Sequence, residues 1–254
     1  MREKWQRTGF LIGEKNIEKL RNIHISIFGL GAVGSFALEY LLRCGAENLT
    51  LIDFDKVSIS NFNRLLFADA ENLGKLKVEA ATLRSQKINE NARIRPFSMF
   101  IGNENIADFF KKEKFDIIID AIDSLNPKIA LLEAALRSDE TVFSSMGAGG
   151  RWNPAEVKSG DLWQTKNCQL AAKIRRGLRK RGVEKPLPVV YSTELAAKPL
   201  SSERETEAEQ AAYFERGRRR SLQPSIVFIP AVFAAFLAKM AIDFVVSTDA
   251  SDYY

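Results

Sequence analysis

The chain has little of the two side chains on which many active sites depend. Its 254 residues include two cysteines, Cys44 and Cys168, and one histidine, His24. Two cysteines can form neither a disulfide framework nor a four-cysteine zinc site, so we expect a cytoplasmic protein without a stable zinc site. Because His24 opens the strand-like stretch IHISIF, we interpret it as structural. Acid–base work is then left to carboxylates, to lysine or to the substrate.

Long apolar runs are also scarce. The first ten residues, MREKWQRTGF, contain no apolar core of signal-peptide length, so we expect no export. Residues 226–246 could span a bilayer by length, but Pro230, Lys239 and Asp243 interrupt them, the last two lying one helical turn apart. We favour a core strand followed by a buried helix, with a dimer interface as one setting for it, over membrane association.

The positive charge is concentrated in two places. The net charge is +5, and residues 173–185, KIRRGLRKRGVEK, hold seven Lys or Arg residues against one Glu; RGRRR follows at 216–220. A solvated helix face and a contact with a polyanion are equally good interpretations of such clusters. Residues 200–224 are polar, without a sustained apolar face, and we expect them to form a mobile surface loop.

Short apolar stretches alternate with helical patterns along the first 150 residues. Such alternation predicts an α/β fold with a doubly wound, mostly parallel sheet, a Rossmann-like nucleotide-binding unit and a C-terminal extension. The predicted strands are 23–28, 49–52, 92–99, 115–119 and 141–145, and the predicted helices are 33–42, 74–87 and 127–136.

The sequence GLGAVG at residues 29–34 follows the first predicted strand. Gly29 permits a tight turn, Gly31 lets the backbone approach a phosphate, and Gly34 lets the helix pack closely on the sheet. Asp53 closes the next strand nineteen residues after Gly34, where a carboxylate grips a ribose hydroxyl, and we include the nearby Asp55 among the nucleotide-binding residues. This pair of motifs fits NAD and ATP equally well.

The residues that follow distinguish the two nucleotides. Asn61, Asn63 and Arg64 come soon enough after the second strand to fold back over the crevice, and the planar fork of arginine suits a triphosphate. Lys77 follows on a predicted helix; by itself it could be an exposed lysine. Asp123 lies beyond the strand FDIII, where a carboxylate beside phosphates indicates Mg²⁺. Hydride transfer needs neither group, so the set favours ATP over NAD.

Four motifs together resemble the adenylating domain of the ubiquitin-activating-enzyme-like superfamily: GLGAVG, LIDFDKVSISNFNR, LGKLKVEAA and DAIDS. The resemblance runs from about residue 8 to 150. It implies that Arg64, Lys77 and Asp123 hold ATP and Mg²⁺, with Asp123 at the metal and Asp53 on the ribose. It also implies a homodimer in which an N-terminal arginine reaches the neighbouring ATP site; Arg7 is the nearest candidate.

The remaining motifs narrow the resemblance. The chain lacks the two CxxC pairs of sulfur-carrier activators, while RTGFLIGEKNIEKL, MGAGGRWNPAEVKSGDLWQT and LPVVYSTE resemble the tRNA threonylcarbamoyladenosine dehydratase family. This resemblance implies a single adenylating domain over 1–254, with an ATP-binding core (8–150), a basic substrate-side segment (151–225) and an apolar C-terminal element (226–246). Its implied reaction is adenylation of the threonylcarbamoyl carboxylate on tRNA, then cyclisation with release of AMP. The tRNA backbone would meet Lys173, Arg175, Arg176, Arg179 and Lys180.

Three other functions remain open at this point. An activator of a ubiquitin-like sulfur carrier would use Cys168, which lies in a basic stretch between Lys166 and Lys173, as its acceptor and would need a sulfur-transfer partner. A non-catalytic scaffold would keep the fold without turnover, although the Arg64, Lys77 and Asp123 set speaks against it. An NAD dehydrogenase lacks a paired His and Arg for hydride transfer. The sequence also leaves a monovalent cation open.

Overall fold

The computed structural model describes residues 3–138, 140–200 and 223–247. The RGRRR stretch and nearly all of the predicted loop 200–224 lie outside these ranges. The strands are β1 (His24–Phe28), β2 (Asn48–Ile52), β3 (Arg93–Phe97), β4 (Ile117–Asp120), β5 (Thr141–Ser145), β6 (Val157–Asp161) and β7 (Pro188–Ser192). The helices are α1 (Gln6–Ile12), α2 (Glu14–Asn22), α3 (Ala32–Cys44), α4 (Lys77–Ile88), α5 (Ile106–Lys112), α6 (Leu125–Arg137), α7 (Gln169–Lys180) and α8 (Phe228–Ser247).

The strands form one seven-stranded sheet in the order β3-β2-β1-β4-β5-β7-β6. Every neighbouring pair is parallel except β6 with β7. The predicted doubly wound α/β fold is therefore confirmed. Strands β6 and β7 were not predicted; β6 (VKSGD) is an edge strand with mostly exposed residues, so it has no apolar run that could have marked it.

The sheet has its switch point at β1. The chain moves from β1 outward to β2 and β3, then crosses to β4 on the other side. In such sheets the crevice for ligands lies at the carboxyl ends of the strands that flank the switch, here β1 and β4. His24 lies at the opposite, amino-terminal end of β1, where its Nε2 is 2.8 Å from the Thr50 hydroxyl. This placement fits its predicted structural role.

Residues 228–247 form the single helix α8, so the predicted core strand in this segment is wrong. The segment continues as a helix through Pro230 because proline is tolerated in a first turn, where its missing N–H has no intrahelical acceptor. Its buried side chains recur at helical spacing and pack mainly against α3; they include Ile229, Phe233, Leu237, Ala241 and Val245. By length and composition alone α8 could cross a membrane, but core helices pass the same test.

A fully buried ion pair lies beneath the turn after β4. Lys128 Nζ, from the first turns of α6, lies 2.7 Å from Asp120 Oδ2 and donates to the Ile122 carbonyl at 2.9 Å. Asp120 also accepts from the Ser144 hydroxyl at 2.6 Å and from the Ile122 N–H at 3.1 Å. These bonds fix the backbone of the turn that carries Asp123.

We predict that Lys128→Met lowers the free energy of unfolding by about 3–5 kcal/mol, because it leaves the Asp120 carboxylate buried without its cation. Chemical denaturation measures this loss. The exposed Lys112→Met is the control and should change stability by less than about 0.5 kcal/mol. Adding Asp120→Asn to Lys128→Met should recover part of the loss. A single variant as stable as the control would contradict the prediction.

Candidate nucleotide-binding site

The glycine loop joins β1 to α3 at the centre of the sheet edge. Gly29 has φ +90°, and a Cβ there would lie 2.9 Å from the carbonyl carbon of Ala121 in the turn after β4. A Cβ at Gly34 would lie 1.9 Å from the Gly29 oxygen, so only glycine lets α3 start this close to the loop. At Gly31 a Cβ would meet nothing within 4 Å. The open side of the loop therefore lies at the amino end of α3, where backbone N–H groups favour a phosphate.

Asp53 holds the glycine loop to the end of β2. Its Oδ2 accepts the Leu30 N–H at 2.6 Å and its Oδ1 accepts the Asp55 N–H at 2.8 Å. Burial raises the pKa of Asp53 above its usual value, Lys77 opposes this effect, and Asp55 adds to it. Each carboxylate oxygen has a second lone pair, so the predicted contact with a ribose hydroxyl is compatible with these bonds. That contact stays a prediction.

Lys77 is buried rather than an exposed helix lysine. It is the first residue of α4, and its Nζ donates to Asp55 Oδ2 at 2.9 Å. Its backbone N–H also donates to the Asp55 carbonyl at 2.9 Å. The structure thus brings Lys77 and Asp55 together beside Asp53, at the carboxyl end of β2. A cation fixed at this point can neutralise phosphate charge in the crevice.

Arg64 lies in a loop that its own neighbours shape. Asn61 forms a capping box with Ser58 at the start of the short 3₁₀ helix Ile59–Asn61. Arg64 Nη1 donates to the Ser60 carbonyl at 2.7 Å and to Asn63 Oδ1 at 2.8 Å, while Asn63 Nδ2 donates to the Ser225 carbonyl at 3.1 Å. Both asparagines therefore have structural partners. Direct contact of Asn61, Asn63 or Arg64 with the nucleotide stays a prediction.

Asp123 is exposed in the turn after β4, and its Oδ1 accepts from the Ser124 hydroxyl at 3.2 Å. Within the described ranges no group of three His, Cys, Asp or Glu side chains could hold a metal ion. A magnesium ion at Asp123 would therefore need phosphate oxygens and water as its other ligands, which is a common arrangement for Mg²⁺. The metal role of Asp123 stays a prediction.

Arg7 is exposed on α1, far from the glycine loop of its own chain. The adjacent Trp5 packs at the other end of α3, where its Nε1 donates to the Leu42 carbonyl at 3.2 Å and its ring lies beside Gly45. Helix α3 has 13 residues and is thus about 20 Å long. Arg7 can serve an ATP site only if that site belongs to a neighbouring chain.

Sequence reasoning missed Asp120 and Lys128, which support the Asp123 turn from below. The available signal was a charged residue inside an apolar helix pattern, since Lys128 stands between Pro127 and Ile129. A lysine at a position that should be buried indicates a buried partner, because an unpaired buried charge is costly.

Comparison with known proteins gives the family. Residues 6–253 match the ThiF family. The chain belongs to this family. It is 32% identical over 233 residues to the tRNA threonylcarbamoyladenosine dehydratase of Bacillus subtilis, covering 91% of this chain and 90% of that protein. It is 35% identical over 207 residues to the enzyme of the same name from Escherichia coli, covering 79% and 77%.

A solved structure of this ThiF-family group extends the likeness to the fold. The Escherichia coli tRNA N6-threonylcarbamoyladenosine dehydratase in complex with ATP superposes with a TM-score of 0.86 at 29% identity, covering 99% of this chain and 97% of that one. The resemblance inferred from the four motifs and from the MGAGG stretch is confirmed.

Helix α7 divides the predicted basic contacts of this ThiF-family chain into two groups. Its buried face consists of Ala171, Ile174 and Leu178. Arg175 flanks that face and donates to the carbonyls of Leu162 at 3.0 Å and Thr165 at 3.3 Å. Lys173, Arg176 and Lys180 lie on the opposite, exposed side, with Arg179 at its border between Trp163 and Glu184. Lys173, Arg176 and Lys180 are thus the best placed to contact a polyanion. Arg175 instead stabilises the turn before α7 through its hydrogen bonds.

The two thiols lie in structural positions, where Cys168 is buried and Cys44 is half-buried. Cys44 ends α3, away from the glycine loop, and burial raises its pKa. Cys168 is buried as the N-cap of α7, where its Sγ accepts the Ala171 N–H at 3.5 Å. A thiol that packs against its own helix is poorly exposed to a carrier protein.

We predict that Cys168→Ser keeps most of the activity on tRNA, because serine also caps a helix and the reaction needs no enzyme nucleophile. AMP release and nucleoside analysis of the product tRNA measure this. Cys44→Ser is the control for replacing a half-buried thiol elsewhere. A loss of a hundredfold or more in Cys168→Ser, with normal stability, would instead support the sulfur-carrier alternative.

Proposed function

We propose that this ThiF-family chain is an ATP-dependent tRNA threonylcarbamoyladenosine dehydratase. The observation that carries the proposal is the near full-length likeness to the ATP complex of the Escherichia coli dehydratase. The contacts of Asp53 with the glycine loop and of Lys77 with Asp55 support it, because they place a cation beside a loop suited to phosphate. The substrate is the threonylcarbamoyl group on a tRNA adenosine, and the product is its cyclic form.

The site residues suit the first half of this reaction. The open side of the glycine loop and the amino end of α3 receive phosphate, while Lys77 and Arg64 supply positive charge. The substrate carboxylate attacks the α-phosphorus, and pyrophosphate leaves. In this proposal Asp123 would hold Mg²⁺, and the ion would supply positive charge for the leaving pyrophosphate.

The second half needs less from the protein. The carboxylate, once joined to AMP, is an electrophile with a good leaving group. A neighbouring atom of the same group attacks its carbon, the ring closes, and AMP departs. Because nucleophile and electrophile belong to one group, their effective concentration is already high. A chain whose Cys168 is buried and whose one histidine lies at the far end of β1 can carry out this step.

Pairing of two chains is part of the proposal. Helix α1 exposes Phe10 and Leu11, at 76% and 78%, beside Arg7. Exposed large apolar side chains next to an arginine that cannot reach its own site favour an interface with a second copy. We propose a cytoplasmic homodimer in which Arg7 serves the neighbouring ATP site. A monovalent cation stays a prediction.

The alternative is an activator of a ubiquitin-like sulfur carrier that acts through Cys168. The buried, helix-capping position of this thiol and the absence of CxxC pairs from the sequence both favour the dehydratase. The deciding experiment is mass spectrometry of tRNA nucleosides after incubation with the protein and ATP. Loss of threonylcarbamoyladenosine with stoichiometric AMP supports the proposal, and unchanged nucleosides contradict it.

We predict that Arg64→Ala lowers kcat/KM for adenylation by about 30- to 1000-fold, corresponding to about 2–4 kcal/mol for a lost charge-assisted phosphate contact. Pyrophosphate release measures this rate. The control Arg43→Ala removes an exposed arginine on α3 that is paired with Glu39 and should leave the rate nearly unchanged. Wild-type protein should show no measurable NAD binding. Unaltered adenylation in Arg64→Ala, or tight NAD binding by the wild type, would contradict the assignment of ATP as the nucleotide.

We predict that exchanging Lys173, Arg176 and Lys180 together for glutamine weakens tRNA binding and flattens the slope of log affinity against log salt by about 2–3 units, as three lost phosphate contacts require. Binding titrations over a range of salt concentrations measure the slope. The control exchanges three exposed lysines elsewhere, Lys87, Lys112 and Lys114, with the same change in net charge. Equal slopes in the two variants would mean that this face is only solvated surface.

A further inference from the structure

Arg151 is a buried cation whose donors are mostly unsatisfied. It follows the glycine-rich loop after β5 and is 5% exposed. Its Nη2 donates to the Asn167 carbonyl at 3.2 Å, while Nε and Nη1 are buried and have no hydrogen-bond acceptor in the part of the chain that the structure describes. The other buried cations, Lys77 and Lys128, each have a carboxylate within 3 Å.

A guanidinium in this position is energetically unfavourable unless an anion joins it. Arginine stays charged at all ordinary pH values, so it cannot escape the cost of burial by losing a proton. Buried N–H groups without acceptors each cost stability, and more so on a charged group. The unsatisfied nitrogens of Arg151 therefore point to an anionic ligand.

The backbone around Arg151 is held in place by its neighbours. The Glu194 carboxylate accepts the N–H groups of Trp152, at 2.9 Å, and of Asn153, at 2.9 Å. On the other side, the Gly150 N–H donates to the Pro224 carbonyl, and the Gly150 carbonyl accepts the Ala197 N–H, both at 2.7 Å. A side chain on so constrained a segment is pre-organised for a ligand.

Arg151 belongs to the same edge of the sheet as the nucleotide site. Its loop leaves the carboxyl end of β5, next to β4 and the turn that carries Asp123. The segment that binds Gly150 through Pro224 continues to Ser225, whose carbonyl accepts from Asn63 in the Arg64 loop. The two arginine-bearing loops thus contact one short segment, and Arg151 lies on the β5 side of the crevice.

Burial and position together indicate the kind of anion. A tRNA backbone phosphate stays at the protein surface, where the exposed cations of α7 could meet it, and would not reach a side chain buried as deeply as Arg151. The phosphates of ATP fit the open glycine loop and Lys77, on the β1 and β2 side. A small planar anion that enters from the substrate side fits best, because the arginine fork matches a carboxylate.

We propose that Arg151 binds the carboxylate of the threonylcarbamoyl group and orients it toward the α-phosphate of ATP. This inference rests on the proposed function. The ring of the next residue, Trp152, is 68% exposed and packs edge-on against Phe228 at 5.7 Å. It offers a flat surface at the entrance on which the modified base can stack.

The contact with Arg151 is made by the carboxylate before it is adenylated. Two anions, the carboxylate and the triphosphate, must approach each other for the first step, and a cation behind the carboxylate offsets their repulsion. Once joined to AMP the group no longer carries that charge, so the contact weakens as the ring closes. Loss of Arg151 should therefore raise KM for the modified tRNA more than it lowers kcat.

The test compares Arg151→Met and Arg151→Lys with wild type. We expect KM for threonylcarbamoylated tRNA to rise about 10- to 100-fold in Arg151→Met, with a smaller rise in Arg151→Lys, which keeps the charge but not the fork. Affinity for ATP alone should stay unchanged. Without ligand, Arg151→Met should be at least as thermostable as wild type, whereas the control Arg175→Met should lose stability because its guanidinium has acceptors.

Two ligands that differ only in whether their carboxylate is free test whether Arg151 recognises that carboxylate rather than another anion. Free threonylcarbamoyladenosine nucleoside should raise the Tm of wild type but not of Arg151→Met, and its methyl ester should raise neither. Equal stabilisation of wild type by the ester overturns the inference even if the variants fail to fold. An unchanged KM in Arg151→Met overturns it too, as does a loss of affinity for ATP or for unmodified tRNA. Wild type that makes no cyclic product contradicts the proposed function instead, while the nucleoside experiment still decides the role of Arg151.

Discussion

The geometry of the candidate nucleotide site depends on the carboxylate of Asp53. Its two oxygens accept backbone N–H groups from the glycine loop after β1 and from the segment after β2, so one side chain joins the ends of two neighbouring strands. The glycine loop cannot move outward without breaking the bond from Leu30. Burial makes this bond strong, since few waters compete for it, and the nearby Lys77 offsets part of the cost of burying the charge.

In the turn after β4, as in the turn after β2, an aspartate carboxylate accepts a backbone N–H. Asp120 ends β4, and Asp53 directly follows β2. Each accepts the N–H of the residue two positions on, and a lysine from the next helix approaches each turn. The two turns differ in one respect. Lys128 binds Asp120 itself and is fully enclosed, whereas Lys77 binds Asp55 at the edge of the crevice. The first pair therefore supports the turn, and the second leaves a cation where phosphate can reach it.

The local parts of this site could be predicted from sequence because short-range geometry dictates them. A loop that needs a positive φ at Gly29 and no Cβ at Gly34 leaves its mark in the residues themselves. Burial and pairing leave a weaker mark, because a lysine inside an apolar helix pattern indicates a buried partner but does not say which residue it is. The contacts of Arg175 with the turn before α7, and the enclosure of Lys128 and Arg151, depend on how separate strands and helices pack together, although their hydrogen-bond partners lie only 6 to 16 residues away in the chain. The basic residues of 173–185 therefore cannot be told apart in the sequence, although in the fold Arg175 is hydrogen-bonded to the turn before α7 and others are exposed.

The cations of this chain differ in how far they are buried, and burial affects what each can recognise. Exposed charges on α7, such as Lys173, act through water and salt, which screen them beyond about 8 Å; they attract a polyanion without distinguishing its groups. Lys77 is buried at the crevice beside Asp55, and in the proposed function it acts on the phosphate that the glycine loop positions. In the role proposed for Arg151, a group must give up its water and match the planar guanidinium, because a wrong group leaves the buried donors unsatisfied. Selectivity for one carboxylate on a large RNA is therefore best supplied by a buried cation whose donors lack acceptors among the described residues.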